Sequence, residues 1–423
     1  MRKYYFLLLF LSNFISAQYT WTPLTSISTI NGPNGQRFDD VFFLNENLGW
    51  AANGYYSAVY KTIDGGQNWT TQIGNAGLGG FYYFRNIEFL DENIGFIGTL
   101  SNRFYKTIDG GATWNQVMNI SPYPNAICGL DCVGTSTVYG CGAYFSPAHI
   151  IKSTDSGATW QYINMSAYAT ALVEILFVDE NIGFVSGRNA NGAVILKTTD
   201  GGTSWTIVYN GTIPGEYVWK LQILSSNPNV IFGSIESVAP NTGKLLKSIN
   251  GGQNWIAKNF PDTEVQAVGF ASENQGWMGG HNLGLHETID GGDTWTNINV
   301  GSNLNRIFFV NNSVAYASGT GVYKLSTTLN TTDFQEMARV PLVVRVAPNP
   351  IKDKLNLEID FLGGDHLVLE LYSVTGQLLK ELKIDLIEAA GTKRYSFDFP
   401  YKKGTYILNL HTNTGRQSVK ITK

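Results

Sequence analysis

A short phrase recurs six times along this chain of 423 residues, and its spacing constrains the fold more than any other feature. The first copy spans residues 60–69, and the reduced pattern is Ser/Thr-x-Asp-x-Gly-x-Thr/Ser/Asn-Trp. The steps between successive tryptophans of the phrase are 45, 46, 45, 50 and 40 residues. Self-similarity with a period near this length is typical of a β-propeller or another repeat array. The spacing therefore predicts an all-β repeat fold.

Each copy is defined by an acidic residue, replaced once by Asn250, and by a closing tryptophan. The pairs are Asp64 and Trp69, Asp109 and Trp114, Asp155 and Trp160, Asp200 and Trp205, Asn250 and Trp255, and Asp290 and Trp295. The pattern resembles the Asp-box, or BNR repeat, of sialidases and related β-propellers.

The residue types of the phrase explain its recurrence. We expect the Asp side chain to accept hydrogen bonds from backbone N–H groups one to two residues on, and Gly66 and its counterparts to adopt positive φ. The tryptophan supplies a large apolar plate between neighbouring sheets. A calcium loop is the alternative, but each copy offers one carboxylate, and calcium usually takes six or more oxygen ligands. We interpret the boxes as structural and predict no metal site and no cofactor.

The repeats predict a seven-bladed β-propeller over residues 18–328. Each boxed repeat contains four strand-like segments, in which β-branched and aromatic residues are enriched. A seventh repeat after Trp295 has three such segments and no box, while residues 19–24 form a separate strand near the start of the chain. We expect this N-terminal strand to close the last blade, which removes exposed sheet edges. The alternative is an open array of six blades with a loose tail.

The N-terminus has the organisation of a signal peptide. Residues 1–17 carry Arg2 and Lys3, then an apolar stretch, then Ile15-Ser16-Ala17 before Gln18. A transmembrane anchor needs roughly 20 apolar residues, and Ser12 and Asn13 interrupt this stretch. We therefore expect a mature protein without a transmembrane segment, located outside the inner membrane.

The C-terminal part of the chain has a different pattern. Residues 329–342 are predicted to be a linker, and residues 343–423 a small antiparallel β-sandwich, because apolar and polar residues alternate there. Residues 348–350, 372–376, 404–408 and 419–423 closely resemble the C-terminal sorting domain of type IX secretion cargo in Bacteroidetes. The resemblance implies that the type IX machinery exports the protein to the surface or the medium, often with removal of this domain. An accessory adhesion module is the alternative.

Composition excludes some partners. The net charge of −4 gives no reason to expect binding to nucleic acid. The cysteines Cys128, Cys132 and Cys141 allow one disulfide, of Cys141 with Cys128 or Cys132, and one free thiol. Zinc is disfavoured because His149 is the only imidazole nearby. We expect a monomer, with a glycan or a surface protein as ligand.

Polar residues near the first strands indicate a ligand site. Ligand sites in propellers usually lie on the rim opposite the boxes, built by loops that enter strand one and loops that join strands two and three. We place three arginines there, in neighbouring blades, and such a group suits a carboxylate or phosphate ligand. The alternative is that each arginine forms a local surface ion pair of small energetic value. The predicted ligand-binding residues are Arg37, Asp39, Asp40, Arg85, Asn86, Glu174, Trp219, Lys220 and Arg306.

The function is predicted to be that of a secreted or surface-attached, non-catalytic binding propeller. The alternative is a glycoside hydrolase, since sialidases with this box bind the substrate carboxylate through three arginines and use a Tyr nucleophile assisted by Glu. An Arg-Ile-Pro segment is absent near the start, and sialidases have six blades. The period and the closing strand look more like the photosystem II assembly factor propeller. Because similarity of fold is a weak guide to function, the choice between these functions rests on the geometry and chemistry of the site.

Overall fold

The structure is a computed structural model that describes residues 18–27, 37–74, 77–328, 343–361, 365–373, 378–412 and 416–423. The predicted signal peptide (1–17) and linker (329–342) lie outside the described residues. Two compact units divide the chain, one spanning Tyr19–Thr327 and the other C-terminal to it. The described residues of both units form strands and turns without helices, so none of them forms a helix that could cross a bilayer.

Twenty-eight strands occupy residues 18–328. They are β1 (Gln18–Pro23), β2 (Phe38–Phe43), β3 (Gly49–Asn53), β4 (Ala58–Thr62), β5 (Thr70–Ile73), β6 (Phe84–Phe89), β7 (Gly95–Thr99), β8 (Phe104–Thr107), β9 (Asn115–Gln116), β10 (Gly129–Val133), β11 (Thr137–Gly142), β12 (His149–Ser153), β13 (Gln161–Asn164), β14 (Ala171–Phe177), β15 (Gly183–Asn189), β16 (Gly192–Thr198), β17 (Thr206–Asn210), β18 (Tyr217–Ile223), β19 (Ile231–Glu236), β20 (Lys244–Ser248), β21 (Ile256–Asn259), β22 (Val265–Phe270), β23 (Gly276–Gly280), β24 (Leu285–Thr288), β25 (Thr296–Asn297), β26 (Arg306–Asn311), β27 (Val314–Ser318) and β28 (Val322–Thr328).

These strands form four-stranded sheets. Six of the sheets take four consecutive strands each, from β2–β5 to β22–β25. The remaining sheet has the order β1-β28-β27-β26, so the first strand of the described chain pairs with the last strand of this unit. The amide of Leu24 continues the pairing by donating to the carbonyl of Val322 at 2.8 Å.

The first strand of each consecutive set, together with β26, lies at the centre of the unit. β2 contacts β6, β6 contacts β10, and the contacts continue through β14, β18 and β22 to β26, which contacts β2. We call these the central strands. Most of their residues are buried, and the six residues of β6, for example, all are. β26 is an exception, since Ile307 is the one buried residue of its six. The order of contacts returns to its starting point, which places the central strands around a common axis.

The box turns connect the third and fourth strands of six sheets. In the first, Gly65 and Gly66 have φ of +70° and +87°, a region that non-glycine residues rarely adopt. The Asp64 carboxylate accepts a hydrogen bond from the amide of Asn68 at 2.9 Å, and the Thr62 hydroxyl accepts from the amide of Gly66 at 2.9 Å. The prediction that the Asp carboxylate accepts hydrogen bonds from amides one to two residues further along the chain is therefore wrong. The carboxylate reaches four residues on because the two left-handed glycines bring the chain back towards it.

The sheet neighbours are joined by a repeated lysine contact. Lys61, just before the box, donates to the carbonyl of Gly110 in the next box turn at 3.0 Å, and its ammonium lies 5.1 Å from the Trp50 ring centroid. Lys324 of β28 makes the same bond to Gly65 at 3.0 Å and joins the last sheet to the first. In β24 the corresponding residue is Glu287. The sheet that follows β22–β25 has no box turn, so a lysine at this position would lack its acceptor.

The C-terminal unit contains two antiparallel sheets around one apolar core. Their orders are β29-β30-β33 and β32-β31-β34-β35. In β30 the buried residues Leu355, Leu357 and Ile359 alternate with more exposed ones, and they share a core with Leu369 and Leu408 of the other sheet. The strands are β29 (Val343–Val346), β30 (Lys354–Phe361), β31 (Asp365–Ser373), β32 (Leu378–Ile387), β33 (Gly391–Asp398), β34 (Thr405–His411) and β35 (Arg416–Thr422).

Candidate functional site

Most of the predicted ligand residues lie on central strands and not in loops. Asp39 and Asp40 were expected before the first strand of their blade, but they lie inside β2; likewise Arg85 and Asn86 lie inside β6. The reason is a β-bulge. In β2 the register shifts between Phe38 and Asp40, and the same shift occurs in β6, β14, β18 and β22. A bulge re-aims the side chains next to it, which lets polar residues stay within a buried strand.

Asp39 is the centre of one polar cluster. Arg37 Nε donates to Asp39 Oδ1 at 2.9 Å, and Arg85 Nη1 donates to the same oxygen at 2.8 Å. The Arg85 guanidinium also lies 5.1 Å from the Trp219 ring centroid. Arg37 additionally contacts His281, whose pKa is lowered to about 4 by burial and by the nearby guanidinium. We call Arg37, Asp39, Arg85, Trp219 and His281 the Asp39 cluster.

Glu174 is the centre of a second polar cluster. Lys220 Nζ lies 2.7 Å from Glu174 Oε2, and Arg306 Nη1 lies 2.8 Å from Glu174 Oε1. Arg306 Nε also lies 3.3 Å from Asp40 Oδ1, while Asp40 Oδ2 accepts from the amide of Ile87 at 3.0 Å. We call Asp40, Glu174, Lys220 and Arg306 the Glu174 cluster.

The pKa shifts of this second cluster follow from burial. Burial raises the pKa of Asp40 and lowers the pKa of Lys220, and in each case the oppositely charged neighbours counter it. Burial also lowers the pKa of Arg306, but the nearby carboxyl groups, with Asp40 and Glu174 the largest contributors, together outweigh burial and raise it. The cluster therefore combines two cations with two carboxylates.

Two further carboxyl groups, which the sequence analysis did not place in the site, lie beside the Glu174 cluster. Burial raises the pKa of Glu88 well above its usual value and the pKa of Asp131 to about 8. Asp131 Oδ2 also accepts a hydrogen bond from the amide of Phe177 on the next central strand at 2.6 Å. Both side chains stand at the same register position of β6 and β10, opposite Phe96 and Tyr139. Both shifts favour the protonated form, and Asp131, with its pKa of about 8, is largely protonated near pH 7.

Asn86 has a structural role. Its amide nitrogen donates at 3.1 Å to the carbonyl of Ile127, in the segment that leads into β10, and its oxygen accepts from the amide of Gly98 at 3.0 Å. Both ends of this side chain are thus satisfied inside the fold, and Asn86 joins its sheet to that segment.

The three arginines do not form one ligand site. Arg37 and Arg85 share the carboxylate of Asp39, whereas Arg306 pairs with Asp40 and Glu174. The Arg85–Asp39 and Arg306–Asp40 pairs join neighbouring central strands, whereas the Arg306–Glu174 pair joins β26 to β14, which is not its neighbour. The alternative of local surface pairs is therefore wrong, because these pairs are largely buried. Arg85 is only 2% exposed and Asp39 is fully buried. Carboxylates of the protein therefore pair with all three arginines and hold them in two separate clusters.

The aromatic residues in and next to the loops divide into two groups, those at the starts of central strands and those within the loops. Phe84 is fully buried, and Tyr217 and Trp219 are each 8% exposed, so they pack within the fold. Tyr55 and Phe81 are 51% and 63% exposed. These exposed side chains lie in loops on the face opposite the box turns, which we call the loop face. The face that carries the box turns is called the box face.

The cysteines remain free. Cys128, Cys132 and Cys141 are free thiols in the structure, so neither pairing that the sequence allows, Cys141 with Cys128 or Cys141 with Cys132, is formed there. Cys132 lies opposite Val138 in the β10–β11 pair, whereas Cys141 lies opposite Gly129 at the other end of that pair. Burial raises the pKa of all three thiols, which keeps them protonated. Among the described residues, no group of three or more His, Cys, Asp or Glu side chains could hold a metal ion.

Comparisons with known proteins agree with this architecture. Residues 345–423 match the family model of the secretion system C-terminal sorting domain. A search of curated proteins found no match. Among solved structures, YCF48 bound to a D1 peptide is 20% identical with a TM-score of 0.55, covering 73% of this chain and 95% of that chain. YCF48 from Cyanidioschyzon merolae is 16% identical with a TM-score of 0.56, covering 72% and 98%.

A third similar structure is PorZ, described as a bacterial surface component of the type IX secretion system of Porphyromonas gingivalis. It is 13% identical with a TM-score of 0.52, and the match covers 94% of this chain and 60% of PorZ. The chain is thus an all-β protein with a β-propeller fold, and the predicted resemblance to the photosystem II assembly factor propeller is confirmed at the level of the fold. It carries a C-terminal sorting domain, which marks it as secreted or cell-surface cargo of the type IX system.

Proposed function

We propose that this chain is a non-catalytic binding protein, built as a seven-bladed propeller that β1 closes and carried to the cell surface or the medium by its sorting domain. Residues 1–17 are removed as a signal peptide, residues 18–328 form the Asp-box propeller, and residues 343–423 form a β-sandwich that the type IX machinery reads. The cyclic contacts of the central strands and the pairing of β1 with β28 support the closed ring. The mature protein acts as a monomer.

One observation carries the non-catalytic part of the proposal: the charged side chains near the axis are paired with one another. Recognition of a substrate carboxylate by three arginines, as in sialidases, requires three guanidinium groups aimed at one point. Here Asp39 pairs with two of the three predicted arginines, and Glu174 together with Asp40 pairs with the third, so the three groups are held in separate clusters. Losing one partner of such a buried pair costs about 3–5 kcal/mol, so bringing the three arginines together around one substrate would be costly.

The exposed aromatic residues support binding on the loop face. Tyr55, Phe81 and Tyr144 are 51%, 63% and 43% exposed, and aromatic side chains are enriched where proteins bind partners. A glycan or a surface protein is the ligand that such a surface would take. The D1 peptide bound to the similar YCF48 structure supports a propeller of this fold acting as a binding scaffold.

Glycoside hydrolysis is the second candidate, favoured by the carboxyl groups beside the Glu174 cluster. Asp131 has a pKa of about 8 because of its burial, and it lies near enough to Glu174 for their charges to interact. A protonated acid beside an ionised carboxylate is the arrangement that glycosidases use for proton transfer and stabilisation. Asp131 is however buried and accepts the amide of Phe177, so its position is also that of a structural group.

Binding arrays test the proposal. The fluorescently labelled mature protein is applied to arrays of glycans and of peptides from surface proteins, beside a Tyr55→Ala/Phe81→Ala variant. The matched control is Ile63→Ala, which removes a 75% exposed apolar side chain from the box face. We expect binding that the loop-face variant loses and the box-face variant keeps. Equal loss in both variants, or no binding to either array, would contradict the proposal.

A further inference from the structure

A cavity of about 410 Å³ lies among the central strands β14, β18, β22 and β26. This volume falls in the range of small-molecule sites, roughly 300–1,000 Å³. Its lining includes Leu176, Val268 and Phe308, which make much of the wall apolar, and the cationic residues Lys220 and Arg306. This cavity is distinct from the exposed aromatic surface of the loop face and from the box turns.

The cavity has an apolar end and a charged end. Leu224, Ser225 and Phe309 line it and lie at or just beyond the C-terminal ends of β18 and β26, on the side of the box face. Lys220 lies earlier on β18, and Arg306 is the first residue of β26. A molecule that enters from the box face therefore meets apolar side chains first and the two cations further in.

The charged end retains hydrogen-bond donors. The contacts of Arg306 with Asp40 and Glu174 use Nε and Nη1, which leaves Nη2 to donate. Lys220 has three ammonium hydrogens, and Glu174 accepts one of them. A ligand that reaches this point must therefore supply acceptor oxygens.

The neighbouring carboxyl groups do not repel an anion as strongly as their number suggests. Burial raises the pKa of Glu88 well above its usual value and the pKa of Asp131 to about 8. Both shifts reduce the negative charge at this end of the cavity, where the Lys220 and Arg306 cations pair with Glu174 and Asp40. An arginine guanidinium binds a carboxylate through parallel hydrogen bonds, and such bonds are stronger than those to a neutral carbonyl.

We propose that this cavity binds a small carboxylate with an apolar body. The carboxylate accepts hydrogen bonds from Arg306 and Lys220, and the body lies against Leu176, Val268 and Phe308. This inference goes beyond the proposed binding role of the loop face, because it concerns a different ligand and the opposite side of the unit.

Calorimetric titration of the mature protein at pH 7 tests the site with octanoate and its neutral counterpart octanamide. We expect saturable binding of one octanoate, and at least ten-fold weaker binding of octanamide because it lacks the charge that Arg306 recognises. Arg306→Lys keeps the charge but loses the planar pair of donors, so it should weaken octanoate binding about ten-fold. Leu176→Trp fills the cavity and should abolish binding. Leu283→Trp is the matched control, since Leu283 is 46% exposed on the loop face, and it should bind octanoate like the wild type.

A crystal of the wild-type protein with 8-bromooctanoate supplies a readout that needs no variant. The anomalous bromine signal should lie among β14, β18, β22 and β26. A bromine signal elsewhere, equal affinity for octanoate and octanamide, or no binding of octanoate would each overturn the proposal. An unchanged affinity in a folded Leu176→Trp variant would overturn it as well. Because the experiment concerns the box-face cavity, its failure would leave the loop-face binding result unaffected.

Discussion

The protonated carboxyl of Asp131 makes the stability of the propeller unit depend on pH in an unusual direction. Its pKa is about 8 in the folded protein and 3.8 as the reference for the unfolded chain. Between these values the folded state holds a proton that the unfolded state has released. The contribution of Asp131 to the free energy of unfolding is therefore largest below pH 3.8, and it falls as the pH rises from 3.8 to 8.

The magnitude follows from one proton. A group that is protonated only in the folded state changes the free energy of unfolding by about 1.4 kcal/mol per pH unit. From pH 5.5 to pH 7.5 the wild type should thus lose about 2–3 kcal/mol through Asp131. Asp131→Asn cannot release a proton, and its amide oxygen can still accept the bond from the Phe177 amide. The variant should lack this part of the pH dependence and gain stability relative to the wild type at the higher pH.

Urea unfolding followed by tryptophan fluorescence measures the effect. All ten tryptophans lie between Tyr19 and Thr327, so the signal reports only on that unit. Asp109→Asn is the matched control: hydrogen bonds from Thr113 lower the Asp109 pKa to about 2, so this carboxylate is ionised in both states above pH 5. Equal pH dependence of the wild type and Asp131→Asn between pH 5.5 and 7.5 would refute the reasoning.

Two further predictions concern the polar contacts of the fold, and a third concerns the sorting domain. Glu174→Gln leaves Lys220 and Arg306 without their shared carboxylate and should destabilise the unit by about 3–5 kcal/mol in urea unfolding. A change below about 1 kcal/mol would contradict this and show that water solvates the two cations in place of the carboxylate. Lys324→Met removes the bond to the Gly65 carbonyl and should lower stability by about 1–2 kcal/mol. Lys106→Met is the control and should change stability little, because Lys106 lies over a Phe96 ring as Lys324 lies over Tyr316 but makes no hydrogen bond to a box turn within the described residues. Deleting residues 343–423 should leave the protein inside the outer membrane, as cell fractionation with an antibody would detect; undiminished export would contradict the role given to the sorting domain.

The repeat architecture could be predicted from the sequence because the box turn uses residues with few substitutes. Two adjacent positions with positive φ favour glycine, and a carboxylate close in sequence can satisfy the amides of the turn. The third box shows the limit of this rule, since Ser156 adopts φ of +57° in place of the first glycine. The pairing of β1 with β28 followed from the missing fourth strand after Trp295.

The positions of the polar residues could not be predicted as well. Asp39 and Arg85 interrupt apolar runs, so sequence analysis assigns them to the loops that precede the strands. In the structure, bulges at these positions keep both residues within β2 and β6. A bulge has no strong sequence signal of its own. Glu88 and Asp131 could have been found by aligning the repeats with one another. Such an alignment places both residues at the same position of the central strands, and the equivalent residue of β14 is the apolar Leu176.

The aromatic residues show a similar limit. Tyr55 and Trp219 both lie in or close to loop segments of the sequence, so the sequence does not show that Tyr55 is exposed and Trp219 is buried. The packing of neighbouring sheets decides which of the two is buried. The Trp219 ring packs against the Arg85 guanidinium of another sheet, a contact between residues far apart in the chain. Pattern analysis of a single repeat cannot supply such a contact.

The central claim is that the charged residues of the central strands are paired structural groups and not a catalytic site. Incubation of the mature protein with a mixed panel of sialosides and polysaccharides, with products read by mass spectrometry, tests it most directly. The account predicts no released sugar while the protein remains folded. Released sugar that disappears in folded Arg85→Ala or Asp131→Asn variants would contradict the claim and assign catalysis to these strands.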